Sequence, residues 1–215
     1  GTSLQLSELK LHGFYEETNF LITNDGTKFS SSSTGTSQYS NSYTHSNAFN
    51  GNTTSGDWLS QGGSYDTDGT YLLTQRQFDN YKGEWLQSDM SELKKVYFFK
   101  IYPRSSISQQ GASAPSSFRL YGSLNNSNWH PIKDWNSLTS THYYSGGNYT
   151  PFIAKLDKPV SYRYYRLVIN KATTLTGLIT SYVAICELEY YGNEYISYIP
   201  PTKLYYGTSN SSEGG

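Results

Sequence analysis

Cysteine is almost absent from this chain. Cys186 is the single one among 215 residues, so no disulfide can join two of its parts. Its thiol ends the apolar run Tyr182-Val183-Ala184-Ile185-Cys186, which suits a small buried hydrophobe. No His, Asn or Asp stands near it in sequence to make it a nucleophile. Charge is scarce too. Asp, Glu, Lys and Arg make up 15% of the residues and nearly cancel, to a formal −1. That balance removes the electrostatic reason to expect nucleic acid or an anionic membrane surface as a partner. No apolar run is long enough to span a bilayer, and no leader segment is visible at the N-terminus. No amphipathic helix of three turns can be drawn anywhere. Catalytic signatures are missing as well: there is no G-x-S-x-G, P-loop, H-E-x-x-H or Cys/His zinc pattern. The few carboxylates form no recognisable pair, so the chain is not expected to be an enzyme.

What is present is aromatic and polar. Aromatic residues reach 16%, and 22 of them are Tyr. A Tyr joins an apolar ring to a polar tip, which suits strands, interfaces and sugar-binding surfaces. Short apolar stretches recur between turns rich in Gly, Asn and Ser. Phe20-Leu21-Ile22 and Gly83 to Met90 read as strands, and Val96 to Tyr102 is the most apolar and should be central. Phe118 to Ser123 and Tyr162 to Ile169 alternate apolar and polar, and Val183 to Gly192 closes the set. Trp129, after the turn Asn125-Asn126-Ser127-Asn128, is expected to re-enter the core. Residues 30–47 and 136–151 read as surface loops. Many strands at short spacing predict an all-β, antiparallel β-sandwich or jelly roll, built as one domain.

That domain is expected to fill residues 1–192, with an extended C-terminal tail over 193–215. Residues 4–13 hold a further strand. Leu6-Ser7-Glu8-Leu9-Lys10-Leu11-His12-Gly13 echoes Ile185-Cys186-Glu187-Leu188-Glu189-Tyr190-Tyr191-Gly192. Two copies are too few for a repeat array. The first strand therefore either pairs beside the last one or ends a preceding, similar domain. Asn-X-Ser/Thr sequons occur at Asn52, Asn125, Asn148 and Asn210. In a chain this rich in Ser and Thr, chance alone supplies such triplets.

The segment Ala48-Phe49-Asn50-Gly51-Asn52-Thr53-Thr54-Ser55-Gly56-Asp57-Trp58 carries the most information. A small apolar pair enters an Asn- and Gly-rich turn, and a Trp follows to anchor it. Such a turn sets several oxygens on a tight curve, which suits a hard cation such as calcium. The same residues can also hold the loop by Asn side-chain hydrogen bonds with no ion.

In this order the segments resemble the discoidin domain, or coagulation factor type C domain, of the galactose-binding-like superfamily. The matching pieces are Ala48 to Asn52 with Trp58, Gly83 to Met90, Val96 to Arg104, Phe118 to Ser123 leading to Asn128-Trp129, Tyr164 to Ile169, and Cys186 to Gly192. They span roughly residues 47–192. The resemblance implies a galactose-binding-domain-like jelly roll of about eight strands that binds ligands with loops at one end. It also implies a calcium ion held by the Asn47 carbonyl, Asn50, Asn52, Thr54 or Ser55, the Cys186 carbonyl and Glu187. The family often has Asp where this chain has Asn50. The exchange leaves Glu187 as the single carboxylate and should weaken the ion's binding.

Sugar-binding members are similar at Tyr102-Pro103-Arg104, where an Arg after the central strand meets galactose-type hydroxyls. An Arg fork can bridge two neighbouring hydroxyls. Tyr39, Tyr43 and His45 are placed at the same end by the resemblance. Each also has a plain reading: Arg104 as a salt bridge or carbonyl clamp, His45 as a polar loop residue. The disulfide and the membrane-inserting spikes of the clotting-factor branch are absent, so the chain resembles microbial or viral members. The function this implies is a non-catalytic, lectin-like carbohydrate-binding or adhesion module on a cell or virion surface, with a glycan as partner. The alternative is a structural assembly protein, such as a capsid, fibre or cement component, that uses the same fold to contact neighbouring subunits.

Overall fold

The computed structural model describes residues 20–22, 27–32, 43–74, 77–104, 110–178 and 181–194. The strands in chain order are β1 (Phe20–Leu21), β2 (Lys28–Ser31), β3 (Trp58–Leu59), β4 (Gln77–Phe78), β5 (Tyr81–Lys82), β6 (Glu84–Tyr102) and β7 (Pro115–Ser123). They continue with β8 (Trp129–Trp135), β9 (Tyr144–Ser145), β10 (Asn148–Tyr149), β11 (Phe152–Ala172), β12 (Ala184–Ile185) and β13 (Glu187–Glu194). Two 3-10 turns, His45–Phe49 and Ser140–His142, are the helical elements among the described residues.

Two long strands make the sandwich. The first part of β6 pairs with β2 and with the last part of β11; the second part pairs with β13 and with the first part of β11. The register between β6 and β11 slips between Lys155 and Val160 and again between Tyr162 and Tyr164. Ser91 sits between the two parts of β6 at φ 65°. Bulges bend and twist a strand, so both strands turn a corner there and pass from one layer to the other. Seven strands therefore share one continuous hydrogen-bonded sheet, ordered β1-β13-β6-β11-β7-β8 with β2 beside β6. The layers face each other across an aromatic core. Phe99 of β6 meets Phe118 of β7, and Tyr165 of β11 lies 5.5 Å from Tyr190 of β13, centroid to centroid. Leu86, Leu120, Leu167, Ile169 and Leu188 fill the space between them.

The all-β sandwich expected from the strand pattern is the observed fold. Trp58 is fully buried, as an anchor should be, and so is Cys186. Several details differ. The closing stretch Val183 to Gly192 is divided into β12, which pairs with β3, and β13, which joins the main sheet. The segments read as two strands, Gly83 to Met90 and Val96 to Tyr102, are one strand with a corner in it, because polar Ser91 and Glu92 mark a bend rather than a break. Part of the predicted loop 136–151 forms the hairpin β9–β10. Trp129 does not re-enter the core. It lies half-buried on the outer face of the sheet, where Arg166 gives its ring a cation to stack on. The expected strand within 4–13 and the tail beyond 194 lie outside the described residues. No helix among the described residues is long and apolar enough to cross a membrane.

Candidate functional site

The informative loop is held at both ends by apolar residues. Ala48 and Trp58 are fully buried, and Phe49 stacks on Phe29 with centroids 3.9 Å apart. Between the anchors, Gly51 and Gly56 take φ of 77° and 82°, a conformation that glycine adopts without steric cost. Asn52 organises the turn. Its Oδ1 accepts from the Thr54 and Ser55 amides at 3.0 and 3.1 Å and from the Thr54 hydroxyl, while its Nδ2 donates to Ser55 Oγ at 2.8 Å. Asn50 Oδ1 accepts from the Asn52 amide at 2.8 Å, and Asn47 Nδ2 donates to the Asp57 carbonyl at 3.0 Å. Across from the turn, Glu187 at the start of β13 accepts the Asn50 and Gly51 amides at 3.1 Å each. Glu187 is 2% exposed. Burial pushes its carboxyl up to about 7, against the pull of those amides.

Beside this loop, the end of β6 delivers Arg104. Arg104 Nε meets Asp57 Oδ2 at 2.9 Å, and Nη1 donates to the Tyr182 hydroxyl at 3.0 Å. The Tyr43 ring lies 5.7 Å from the guanidinium carbon. Tyr43 is fixed from below by its carbonyl, which accepts the Leu59 amide. Burial raises the Asp57 carboxyl even though Arg104 opposes it. The Cys186 thiol stands between two acceptors: it donates to the Asn52 carbonyl at 3.4 Å, and rotation of its S–H would serve the neighbouring Asp57 carboxylate. Burial pushes that thiol up to about 12, and Asp57 adds to the effect, so it is inert at neutral pH. The cluster is a guanidinium locked on two sides by Asp57 and Tyr182, with an aromatic ring alongside.

The family profile described as the F5/8 type C domain matches residues 28–188. The chain belongs to the F5/8 type C family. Solved structures similar to this domain include the family 32 CBM of C. perfringens NanJ in complex with galactose, at 16% identity and a TM-score of 0.53, covering 80% of this chain and 98% of that one. A second is CpGH89CBM32-5 from Clostridium perfringens in complex with GalNAc-β-1,3-galactose, at 13% identity and a TM-score of 0.52, covering 80% and 99%. A third is the C-terminal domain of a chitobiase from Bacteroides fragilis, at 20% identity and a TM-score of 0.54, covering 81% and 97%. At these identities the likeness is one of fold. A search of the curated proteins finds no significant match.

Within this F5/8 type C domain, the residues named from the sequence divide into two neighbouring groups. Arg104 and Tyr43 come together, and His45 opens the 3-10 turn two residues after Tyr43. Tyr39 lies outside the described residues. Arg104 does form the salt bridge that was its plain reading, and that contact orients it. Asn47, Asn50, Asn52, Ser55, Cys186 and Glu187 all gather on one loop and the strand start facing it. Glu187 suits a hard cation: it is a buried carboxylate that accepts only amide hydrogens and has no basic partner among the described residues. The amide oxygens of Asn50 and Asn52, by contrast, are turned onto loop hydrogens. An ion would have to draw them away. No cluster of three His, Cys, Asp or Glu exists among the described residues.

Asp57 and Tyr182 were not singled out from the sequence. Asp57 had a signal: it is the one acid inside the anchored turn of a charge-poor chain. Tyr182 had none, because it is one of 22 Tyr and lies 78 positions from Arg104.

Proposed function

We propose that this domain is a non-catalytic carbohydrate-binding module whose ligand site is the Arg104, Asp57, Tyr43 and Tyr182 cluster. The observation that carries the reading is the immobilised guanidinium. Asp57 and Tyr182 fix two edges of Arg104, so its remaining donors keep one direction without further loss of rotamer entropy. A fork held this way can bridge two adjacent hydroxyls, and the Tyr43 ring supplies the apolar side that a pyranose needs. Galactose and GalNAc-β-1,3-galactose in the complexes of the similar domains make galactose-type sugars the first class to try. With one Arg fork and one ring face, a single copy would bind weakly and a surface-displayed array would bind by avidity. We place the module outside the cell, as an adhesion or glycan-targeting unit on a cell surface or virion. A calcium ion on Glu187, with Asn47, Asn50, Asn52, Ser55 and the Cys186 carbonyl, would brace the adjoining loop without touching the sugar.

The test is a glycan array probed with the bead-multimerised chain, with calcium and with chelator. Selective binding to galactose-type sugars is expected. Arg104→Lys should lower it by about ten- to a hundredfold, since a point charge loses the fork while keeping the ion pair with Asp57. Arg104→Ala is the poorer variant, because it also strands the buried Asp57 carboxylate. A blank array would remove the carbohydrate reading and leave protein assembly through this loop end.

A further inference from the structure

Three arginines stand on the outer face of the sheet formed by the first part of β6 with β11, β7 and β8, and two are matched to acids. Arg119 meets Asp134 through Nε and Nη2 at 2.5 and 2.8 Å, and Arg163 meets Asp89 at 2.7 and 3.0 Å. Arg166 has no carboxylate partner among the described residues. Its guanidinium carbon lies 4.2 Å from the Trp129 ring, 4.3 Å from Trp85 and 4.6 Å from Phe78. Among the described residues its hydrogen bonds are two, from Nε and Nη2, and both go to the same oxygen, Gln87 Oε1, at 2.9 and 2.5 Å. An Arg has five N–H donors, so most of the fork is unused. The register explains the placement. Arg166 lies directly across from Gln87 on one side and Tyr121 on the other, while Leu86, Ser88 and Leu167 point the opposite way into the core. Burial among the rings holds the guanidinium down to about 10.

The ring faces attract this half-buried cation without carrying a formal negative charge, so a carboxylate that reaches it gains a charge-assisted partner. Arg166, Trp85, Trp129 and Phe78 are half-buried and still reach solvent, and Asn126 at the rim is exposed. Asn126 Oδ1 accepts from Gln87 Nε2 at 3.1 Å, which leaves the Asn126 amide nitrogen to donate outward. Aromatic edges, the Asn126 amide and the Nη edge of the guanidinium that Gln87 does not engage together fit a sugar ring that bears a carboxylate.

We propose that Arg166, Trp129, Trp85, Gln87 and Asn126 form a second ligand site, for a carboxylate-bearing saccharide, on the outer sheet face. It lies at the opposite end of β6 from Arg104. It does not depend on the loop-end site, so either can fail without the other.

The probe is trigalacturonate, with its fully methyl-esterified form as the neutral counterpart, titrated into the whole chain. Tryptophan fluorescence and the Arg166 Nε–Hε resonance are read together. Trigalacturonate should change both at millimolar concentration or below, and the ester should bind about tenfold more weakly or worse. Arg104→Lys should leave this binding within about twofold, whereas Arg166→Gln should remove it. Because Arg166→Gln empties the space between two Trp rings, circular dichroism checks its fold. Asn126→Ala, on the exposed rim, gives a second variant that should weaken binding severalfold. An unmoved Arg166 resonance, equal binding of acid and ester, loss of binding in Arg104→Lys, or capture of an acidic peptide in place of the sugar would each overturn the proposal.

Discussion

Glu187 is the residue on which the loop depends most sharply. Its carboxyl is raised by burial to about 7, above the ordinary value near 4.3 for a free Glu. A group raised in this way binds protons more tightly folded than unfolded. Without calcium its contribution to stability is therefore fully present below the unfolded value and is lost as pH rises through about 7. In chelator the melting temperature should fall between those two limits as pH increases, and Glu187→Gln should flatten that part of the curve. A bound calcium ion reverses the sign, because it favours the carboxylate. Adding calcium at pH 8 should then raise the melting temperature of the native chain and leave Glu187→Gln unmoved. No calcium effect on either protein would leave the loop held by its own Asn hydrogen bonds and by the amides that Glu187 accepts, with no ion. Arg104 and Asp57 are coupled at the same scale: the arginine orients the site, and the acid keeps the arginine from turning out into water.

At the scale of elements, the corners of β6 and β11 decide where everything lies. The bulges let two strands serve both layers, and they put the start of β6 on the outer face and its end at the loop cluster. Glycine permits one of the tightest approaches. A Cβ on Gly192 would lie 1.8 Å from the Lys95 carbonyl oxygen, at the register slip between β13 and β6. Gly192→Ala should thus force the two backbones apart and cost about 1–3 kcal/mol. Urea denaturation would measure it as a lower midpoint at an unchanged slope. A midpoint like that of the native chain would mean that β13 shifts freely, and that it does not brace Glu187 against the loop.

For the whole molecule, the near-neutral charge sets what kind of recognition is available. With a net charge of −1, no long-range field steers a ligand, so specificity comes from placed hydrogen bonds and ring faces. Binding of a neutral galactose-type glycan should change less than about twofold between low salt and roughly 0.5 M. A carboxylate sugar at Arg166 should weaken measurably over the same range. Surface plasmon resonance at both salt levels separates the two sites, and a steep salt slope for the neutral glycan would contradict the loop-end mechanism. The β-sandwich places the Arg104 and Arg166 clusters at opposite ends of β6, so the two proposed sites can be tested separately.

The sequence alone determined the fold class and the position of the loop. Strand periodicity, Gly- and Asn-rich turns and the buried anchors Ala48 and Trp58 are local signals, and local spacing is enough to read them. It also determined that Arg104 follows the central strand and that Glu187 lies within the last apolar stretch; that Glu187 opens the final strand came from the structure. Only the tertiary structure decided what these residues meet. Asp57 and Tyr182 reach Arg104 from distant parts of the chain, and no spacing encodes that. Trp129 carries the same turn signal whether it points in or out; the bulge between Leu120 and Tyr121 and the pairing of β8 with β7 turned it outward toward Arg166. Side-chain face in a strand flips with a single residue of register, so the outer-face cluster was decided by how the strands pair, a long-range outcome of folding.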